Sequence, residues 1–182
     1  MSPNTYFVKM ALRGLSPMIW RRLRVPGKTS LAKLHQAIQI VYSWDDEYLH
    51  QFHIYGKDYG ISYAGGLDFA DDAYEVYLED FEFDVGDKFS YEYNFFEHWM
   101  VDIRIEDIKL GDVTGNICCL KGNGMPGAKK FDEIERMQDL FRAVINSDDK
   151  TTWDDITPYI DALNAVWFNP KRLNKILAAK LD

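Results

Sequence analysis

Four histidines are the side chains best suited to metal binding or proton transfer in this sequence: His35, His50, His53 and His98. Zinc and iron sites require imidazoles and carboxylates that converge on one point. The acidic run Asp45-Asp46-Glu47 precedes two of these histidines, so one hypothesis is a metal-dependent hydrolase that uses Asp45, His50 and His98. Residues three apart on a strand point to opposite faces, so His50 and His53 cannot share a metal if they lie in a strand. Without a converging set the default role is structural, and the sequence predicts no metal, no cofactor and no catalytic residue.

No motif for nucleophilic catalysis or phosphate binding accompanies the histidines. The sequence has no Ser-His-Asp order, Walker loop or dinucleotide fingerprint, and the glycines between residues 111 and 127 lack the Lys-Ser/Thr ending of a phosphate loop. Cys118 and Cys119 are adjacent, so they cannot supply the Cys-x-x-Cys spacing of zinc or thioredoxin chemistry, and we expect reduced thiols. The sequence therefore favours a protein that is not an enzyme.

A second group of residues is suited to binding rather than catalysis: Trp20, Arg22 and Arg24 on one face of a predicted strand, and Arg13 on the strand before it. Arginine binds phosphate through two parallel hydrogen bonds, and an indole can stack on an exposed base. This pattern predicts a surface for nucleic acid or another macromolecule. The alternative is that Trp20 covers one end of the core while the arginines pair with acidic strands such as those of Glu92 and Glu106.

Charge is strongly segregated along the 182 residues, although the net charge is only -8. Residues 1–44 carry +7 with no acidic side chain, residues 45–107 carry -15, and residues 108–182 are balanced. Such asymmetry is typical of proteins with an anionic partner, but a basic segment that folds against an acidic one gives the same pattern. An acidic protein is repelled by nucleic acid unless one face stays exposed and positive.

Hydrophobic periodicity predicts an α+β fold with a mixed or antiparallel sheet. Alternation predicts strands over 6–12, 19–25, 50–55, 74–78, 89–95 and 101–106. An apolar stripe predicts a helix over 31–42, capped by Thr29 or Ser30. Residues 111–127 are expected to form a glycine-rich loop, and helices are expected over 132–144, after Thr157-Pro158 and after Asn169-Pro170. The opening order of strand, strand, helix and strand resembles a ubiquitin-like β-grasp fold.

The same patterns predict one domain over residues 1–182, with a β-grasp-like sheet and helix over 1–110 and a helical part over 128–182. No apolar run approaches the ~20 residues that cross a bilayer, and the first eight residues lack the layout of a secretion signal. We therefore expect a cytoplasmic protein that does not enter a membrane.

Two stretches resemble a known family. The first is Ile19-Trp20-Arg21-Arg22-Leu23-Arg24-Val25-Pro26, and the second runs from Ser43 to Ile54 as Ser-Trp-Asp-Asp-Glu-Tyr-Leu-His-Gln-Phe-His-Ile. Together they are similar to the plasmid pRiA4b ORF-3-like family, whose members recur on plasmids and as passengers of insertion elements. A later family signature is altered here, with only Tyr93, Phe95 and Trp99 retained.

The resemblance implies a β-grasp-like α+β fold without established enzymatic activity, and hence a non-catalytic binding or adaptor module. Its partner is an unknown macromolecule, and nucleic acid and protein both remain open. The resemblance also implies structural roles for the signature residues, which are Trp44, Asp45, Leu49, His50, Phe52, Tyr93 and Trp99. We expect the large apolar members to lock the first helix to the third strand.

Overall fold

The computed structural model of the protein describes residues 4–16, 18–111, 115–124 and 168–181. These residues form, in chain order, β1 (Asn4–Leu12), β2 (Trp20–Pro26), α1 (Leu31–Tyr42), β3 (His50–Ile54), β4 (Lys57–Tyr59), a short 3-10 helix (Leu78–Phe81), β5 (Lys88–Tyr93), β6 (Trp99–Leu110), β7 (Cys118–Asn123) and α2 (Pro170–Leu181). Neither α-helix in these ranges is long and apolar enough to cross a membrane.

The described strands join in one sheet with the order β4-β3-β5-β6-β1-β2-β7. All six pairings between them are antiparallel. The α+β class is therefore confirmed. A mixed, ubiquitin-like β-grasp sheet contains a parallel pair, and no such pair occurs among these strands, so the finer assignment is not shown.

The first helix begins and ends where its sequence predicts. The Ser30 hydroxyl caps it by accepting a hydrogen bond from the Lys33 N–H at 3.2 Å. At the other end Ser43 adopts a left-handed conformation with φ 56°, and the Trp44 N–H donates to the carbonyl of Gln39 at 2.8 Å. This closing bond satisfies a carbonyl that the helix leaves free, and it turns the chain sharply towards β3.

The segment predicted as a strand over 74–78 is not a strand, because its backbone serves the start of α1 instead. The Leu31 N–H donates to the Val76 carbonyl and the Ala32 N–H donates to the Ala73 carbonyl, both at 2.9 Å. The first N–H groups of a helix have no partner within the helix, so this crossing segment supplies what the helix lacks.

The predicted loop over 111–127 is wrong in part, since it contains β7. This strand pairs with β2 on one side. On its other side, the Asn174 side chain of α2 accepts a hydrogen bond from the Cys119 N–H at 2.7 Å and donates to the Cys119 carbonyl at 2.9 Å. The side-chain amide thereby bonds the Cys119 N–H and carbonyl as a neighbouring strand would, and it protects this edge of the sheet. The helices predicted over 132–144 and after Thr157-Pro158 lie outside the described residues, whereas the one after Asn169-Pro170 is α2.

The sheet has two unlike faces. One face packs against α1, and we call it the covered face; its fully buried side chains include Tyr6, Val8, Met10, Leu23, Val25, Phe52, Tyr91, Val101, Ile103 and Ile105. The opposite side, which we call the open face, carries half-buried and exposed side chains that alternate with these along each strand. Because successive side chains of a strand point to opposite faces, the sequence alternation decides which residues reach each face.

Candidate functional site

The basic and aromatic residues singled out in the sequence lie at the open face. Trp20, Arg22 and Arg24 alternate along β2 with buried residues, and each is half-buried. Arg13 lies in the exposed turn after β1, and its Nε donates to Asp102 Oδ2 of β6 at 3.1 Å. The strand prediction is therefore confirmed, and three of the four side chains share a face.

The register of the sheet places five basic side chains in one line across five neighbouring strands: Lys88 of β5, Arg104 of β6, Lys9 of β1, Arg22 of β2 and Lys121 of β7. We call this set the cation row. Cβ atoms of directly opposite residues lie about 4.5–5.5 Å apart, and like charges at that separation destabilise a sheet. The row therefore costs stability, and a bound anion would relieve that cost.

Carboxylates neutralise only part of this charge. Arg22 forms a two-pronged ion pair with Glu106, whose Oε1 accepts from Nη2 at 3.0 Å. Arg22, with smaller contributions from Lys9 and Arg104, lowers the pKa of the Glu106 carboxyl. Among the described residues, no carboxylate lies within ion-pair distance of Lys88, Lys9, Arg104 or Lys121.

The aromatic side chains of the open face are combined with cations. The Trp20 ring lies against both Lys9 and Arg22, with 5.1 Å from Lys9 Nζ and 5.4 Å from the Arg22 guanidinium carbon to the ring centroid. Phe7 lies on the other side of the row and has Lys109 Nζ 5.1 Å from its centroid. Cation–π contact holds these rings in place while leaving them half-buried at the surface.

The alternative prediction of internal neutralisation holds for only part of the stripe. Glu92 pairs with no arginine in the described ranges; its carboxylate accepts from Gln51 at 3.0 Å and contacts His98 Nδ1 at 3.0 Å. Arg24 has no ion-pair partner in the same ranges, and its Nε is buried without a hydrogen bond. In the described part of the chain, Arg24 and four members of the cation row therefore remain outside ion pairs.

The apolar signature residues form a packing cluster between α1 and the sheet. The Trp44 ring centroid lies 5.1 Å from that of Tyr42, 4.9 Å from Tyr93 and 5.7 Å from Trp99. Phe52 is fully buried and Leu49 is half-buried. These contacts give the large side chains a structural role that requires no ligand.

The signature residue His50 belongs to a second cluster, on the covered face, together with residues outside the signature set. His35 of α1 stacks on His50 of β3 with ring centroids 3.5 Å apart, and both rings are almost completely buried. Nε2 of His35 lies 2.9 Å from Asp46 Oδ1, while its Nδ1 lies 2.8 Å from the Tyr91 hydroxyl. Gln39 joins the two ends, because it donates to the Tyr91 hydroxyl at 2.8 Å and accepts from the Asp46 N–H at 3.0 Å.

Burial fixes the charge state of this second cluster. Desolvation, and then the neighbouring His35, lower the pKa of His50 to about 2, so its imidazole is neutral at physiological pH. Burial also raises the pKa of the Tyr91 hydroxyl well above its ordinary value. Both groups therefore present neutral nitrogen and oxygen atoms to their neighbours.

The three residues of the hydrolase hypothesis do not converge. His50 is buried on the covered face, whereas His98 is exposed and contacts Glu92, whose side chain is on the open face. Asp45 is exposed and lines a cleft beside α1. His53 is also exposed and contacts Asp58 at 2.7 Å, so it lies on the opposite face from His50, as its spacing predicts.

Sequence reasoning missed residues in both clusters. Gln39 is a polar residue beside the apolar stripe of α1, Tyr91 is an ordinary member of an alternating strand, and nothing local distinguishes them. Lys9 and Arg104 are far apart in the chain, so only the pairing of strands brings them together. A search for cations at matching positions of predicted neighbouring strands is the signal that could have found the row.

Three comparisons place this chain among known proteins. A family model described as "Plasmid pRiA4b ORF-3-like protein" matches residues 4–175. The "Uncharacterized protein y4hQ" of Sinorhizobium fredii is 31% identical over 100 residues, which are 54% of this chain and 52% of that protein. The chain thus spans about half the length of this curated relative. The crystal structure of MM3350 from Methanosarcina mazei Go1, a protein of unknown function, is similar to this chain with a TM-score of 0.71. The match covers 94% of this chain and 98% of that protein at 24% sequence identity, so it shows a similar fold.

Proposed function

The chain belongs to the plasmid pRiA4b ORF-3-like family, and we propose that it is a non-catalytic binding module that holds single-stranded nucleic acid against the open face of its sheet. The relatives named above are uncharacterised or of unknown function, so they supply no activity. The observation that carries the proposal is the cation row, which spans five strands in register.

The length of the cation row suits a short stretch of polynucleotide. Neighbouring strands lie about 4.8 Å apart, so the four steps from Lys88 to Lys121 extend over roughly 19 Å. Successive phosphates of one strand are at least about 3.4 Å apart along a helix axis, so the row has room for on the order of four phosphates. Arg22 is held by Glu106, so the guanidinium of Arg104 can hold a phosphate through two hydrogen bonds and the three lysines add point charges.

The rings beside the row favour a single strand over a duplex. Trp20 and Phe7 lie on either side of Lys9 along the sheet surface. Stacking of a base on an aromatic side chain contributes about 1–3 kcal/mol, but the bases of a duplex are already stacked on one another. A single strand therefore uses both the charges and the rings, whereas a duplex uses the charges alone. The net charge of -8 opposes long-range attraction, so we expect modest affinity.

Two finer expectations belong with this proposal. A cytoplasmic location suits a nucleic-acid partner, and Cys118 and Cys119 are both free thiols, as in proteins of reducing compartments. A β-grasp-like relationship rests on the opening unit, in which α1 follows the β1–β2 hairpin and packs across the sheet. The plasmid in the family name is compatible with a partner carried by mobile elements. The competing hydrolase that uses Asp45, His50 and His98 has no geometric support, because His98 and His50 lie on different faces.

The proposal is tested by fluorescence anisotropy with labelled oligothymidylate and a duplex of the same length, each at 50 and 200 mM salt. Four phosphate contacts predict a loss of about 50-fold in affinity for the single strand between these salt concentrations. The double variant Lys9→Gln with Arg104→Gln removes two contacts, so its affinity at 50 mM salt falls by on the order of 50-fold.

A matched control removes the same charge elsewhere. Lys33 of α1 and Lys175 of α2 lie on helices outside the sheet. Lys33→Gln with Lys175→Gln should leave the affinity within about twofold of wild type, since salt screens charges that are distant from the row. Absence of binding at 50 mM salt, equal losses in the two double variants, or a preference for the duplex would each contradict the proposal.

A further inference from the structure

The second cluster holds the ligand set of a metal centre. One donor atom from each of His35, Asp46 and His50 lies within 4.8 Å of the other two. Two imidazoles and one carboxylate are the set found in non-haem iron sites, and zinc, manganese and cobalt accept the same atoms. We propose that His35, Asp46 and His50 bind one divalent first-row transition metal ion. This site is on the covered face, so it does not depend on the proposed binding of nucleic acid.

The cluster is close to the spacing that a metal requires. Donor atoms about 2.1 Å from a shared ion are separated by about 3.0–3.4 Å at tetrahedral or octahedral angles. His35 Nε2 and Asp46 Oδ1 are already 2.9 Å apart. The rings of His35 and His50 are stacked with centroids 3.5 Å apart and planes 12° apart, so one ring must turn out of the stack before a nitrogen of each points to a common ion.

His50 is the member of the cluster that most needs a partner. It is 2% exposed, its Nδ1 has no hydrogen bond among the described residues, and its Nε2 has only a long contact of 3.4 Å with the Ile61 N–H. An unsatisfied buried polar group is costly, and native proteins retain such a group where it has a ligand or a function. A metal ion on Nδ1 would satisfy that nitrogen and leave the proton on Nε2, at the expense of the long contact from the Ile61 N–H.

The neighbours of His35 and Asp46 form the outer shell that a metal site usually has. A ligating imidazole generally donates its second N–H to a fixed oxygen, and the Tyr91 hydroxyl lies 2.8 Å from His35 Nδ1 and is itself held by Gln39. Asp46 adopts a left-handed backbone with φ 57°, anchored by the bond from its N–H to Gln39. This uncommon conformation turns the carboxylate back towards the histidines.

The site also has an entry path. A cleft of about 330 Å³ opens beside Asp46 and is lined by Gln39, Trp44, Asp45 and Lys180, among others. Water or a small anion in the cleft can complete the coordination shell.

The test uses the full chain, freed of metal by a chelator and dialysed. Isothermal titration with zinc chloride should show one site per chain with micromolar or tighter affinity, and titration with cobalt chloride should give visible absorption bands of a nitrogen-ligated ion. Asp46→Asn keeps the shape of a half-exposed side chain, so it should fold while lowering zinc affinity at least 100-fold. His50→Gln should do the same, and the thermal melting of each metal-free variant verifies its folding.

The chain offers a matched control in His53 and Asp58, a second histidine–aspartate pair that is exposed and lies on the other face. His53→Gln with Asp58→Asn should bind zinc as wild type does. The proposal is overturned if wild type takes up no stoichiometric zinc or cobalt at 100-fold molar excess over micromolar protein. It is equally overturned if Asp46→Asn binds zinc like wild type, or if the control double variant loses the site.

Discussion

Removing the carboxylate of Glu106 should strengthen the binding of single-stranded nucleic acid. Glu106 is the one acidic side chain, in the described part of the chain, that forms an ion pair with a member of the cation row. Its partner Arg22 lies in the row between Lys9 and Lys121, so the pair occupies a guanidinium that could otherwise contact a phosphate. Glu106→Gln keeps the size of the side chain and releases the charge of Arg22.

The expected magnitude follows from the release of counterions. Each additional phosphate contact with a single strand contributes about 0.7 to the slope of log affinity against log salt. With the contact taken to contribute nothing at about 1 M salt, one released cation raises affinity by about eightfold at 50 mM salt and by about threefold at 200 mM. The loss of stability should be at most about 1 kcal/mol, because both side chains are over a quarter exposed and water screens the pair.

The pH at which the variant is compared with wild type matters. Arg22 holds the pKa of the Glu106 carboxyl below its ordinary 4.5, so the wild-type carboxylate is fully charged at pH 7. A lowered carboxyl pKa stabilises the fold at pH values above 4.5, and this contribution is lost as the pH falls through the folded value. At pH 7 the variant therefore lacks that small contribution, and its full gain in affinity is present.

The assay is anisotropy titration of labelled oligothymidylate at the two salt concentrations, with Glu75→Gln as the control. Glu75 is exposed and lies outside the sheet, so its loss changes the net charge by the same amount without freeing a member of the row. The reasoning is refuted if Glu106→Gln gains no more affinity than Glu75→Gln, or if its gain does not shrink as salt is raised.

Two further predictions concern the covered face. Trp44→Ala removes a ring that stacks on Tyr42 and Tyr93, so the free energy of unfolding measured in urea should fall by about 3 kcal/mol. The control Tyr48→Ala, whose side chain is 45% exposed, should lower it by less than about 1 kcal/mol. Equal losses in the two variants would mean that Trp44 does not hold α1 to the sheet. The second prediction concerns His50, whose pKa is lowered to about 2 in the folded protein. Below pH 6.5 the imidazole binds a proton in the unfolded chain but not in the folded one. The free energy of unfolding of the wild type should therefore decline by up to about 1.4 kcal/mol per pH unit because of this residue. Urea unfolding at pH 7, 6 and 5 measures the slope, and an equal slope in His50→Gln would contradict a buried neutral ring.

Local pattern was sufficient for most elements that carry the two clusters. Alternation predicts β1, β2, β3, β5 and β6, and the apolar stripe with its serine cap predicts α1, because a half-buried strand and a half-buried helix have different periods. The local pattern did not predict β7, because its Cys-Cys-Leu-Lys-Gly-Asn sequence has no clear alternation of apolar and polar residues. That strand depends on β2 along one edge and on Asn174 along the other, and neither partner is visible in the local sequence.

The sequence by itself determined the faces: it decided that Trp20, Arg22 and Arg24 share one side of a strand and that His50 and His53 do not. Only the tertiary structure decided which residues meet. The cation row exists because the register of five strands aligns cations that are far apart in the chain. The metal-ligand cluster exists because a helix, a left-handed turn and a strand bring one side chain each to the same place, with both histidines buried and the aspartate exposed. Periodicity is a property of neighbouring residues, whereas register and packing depend on the energy of the whole fold, so the first can be read along a chain and the second cannot.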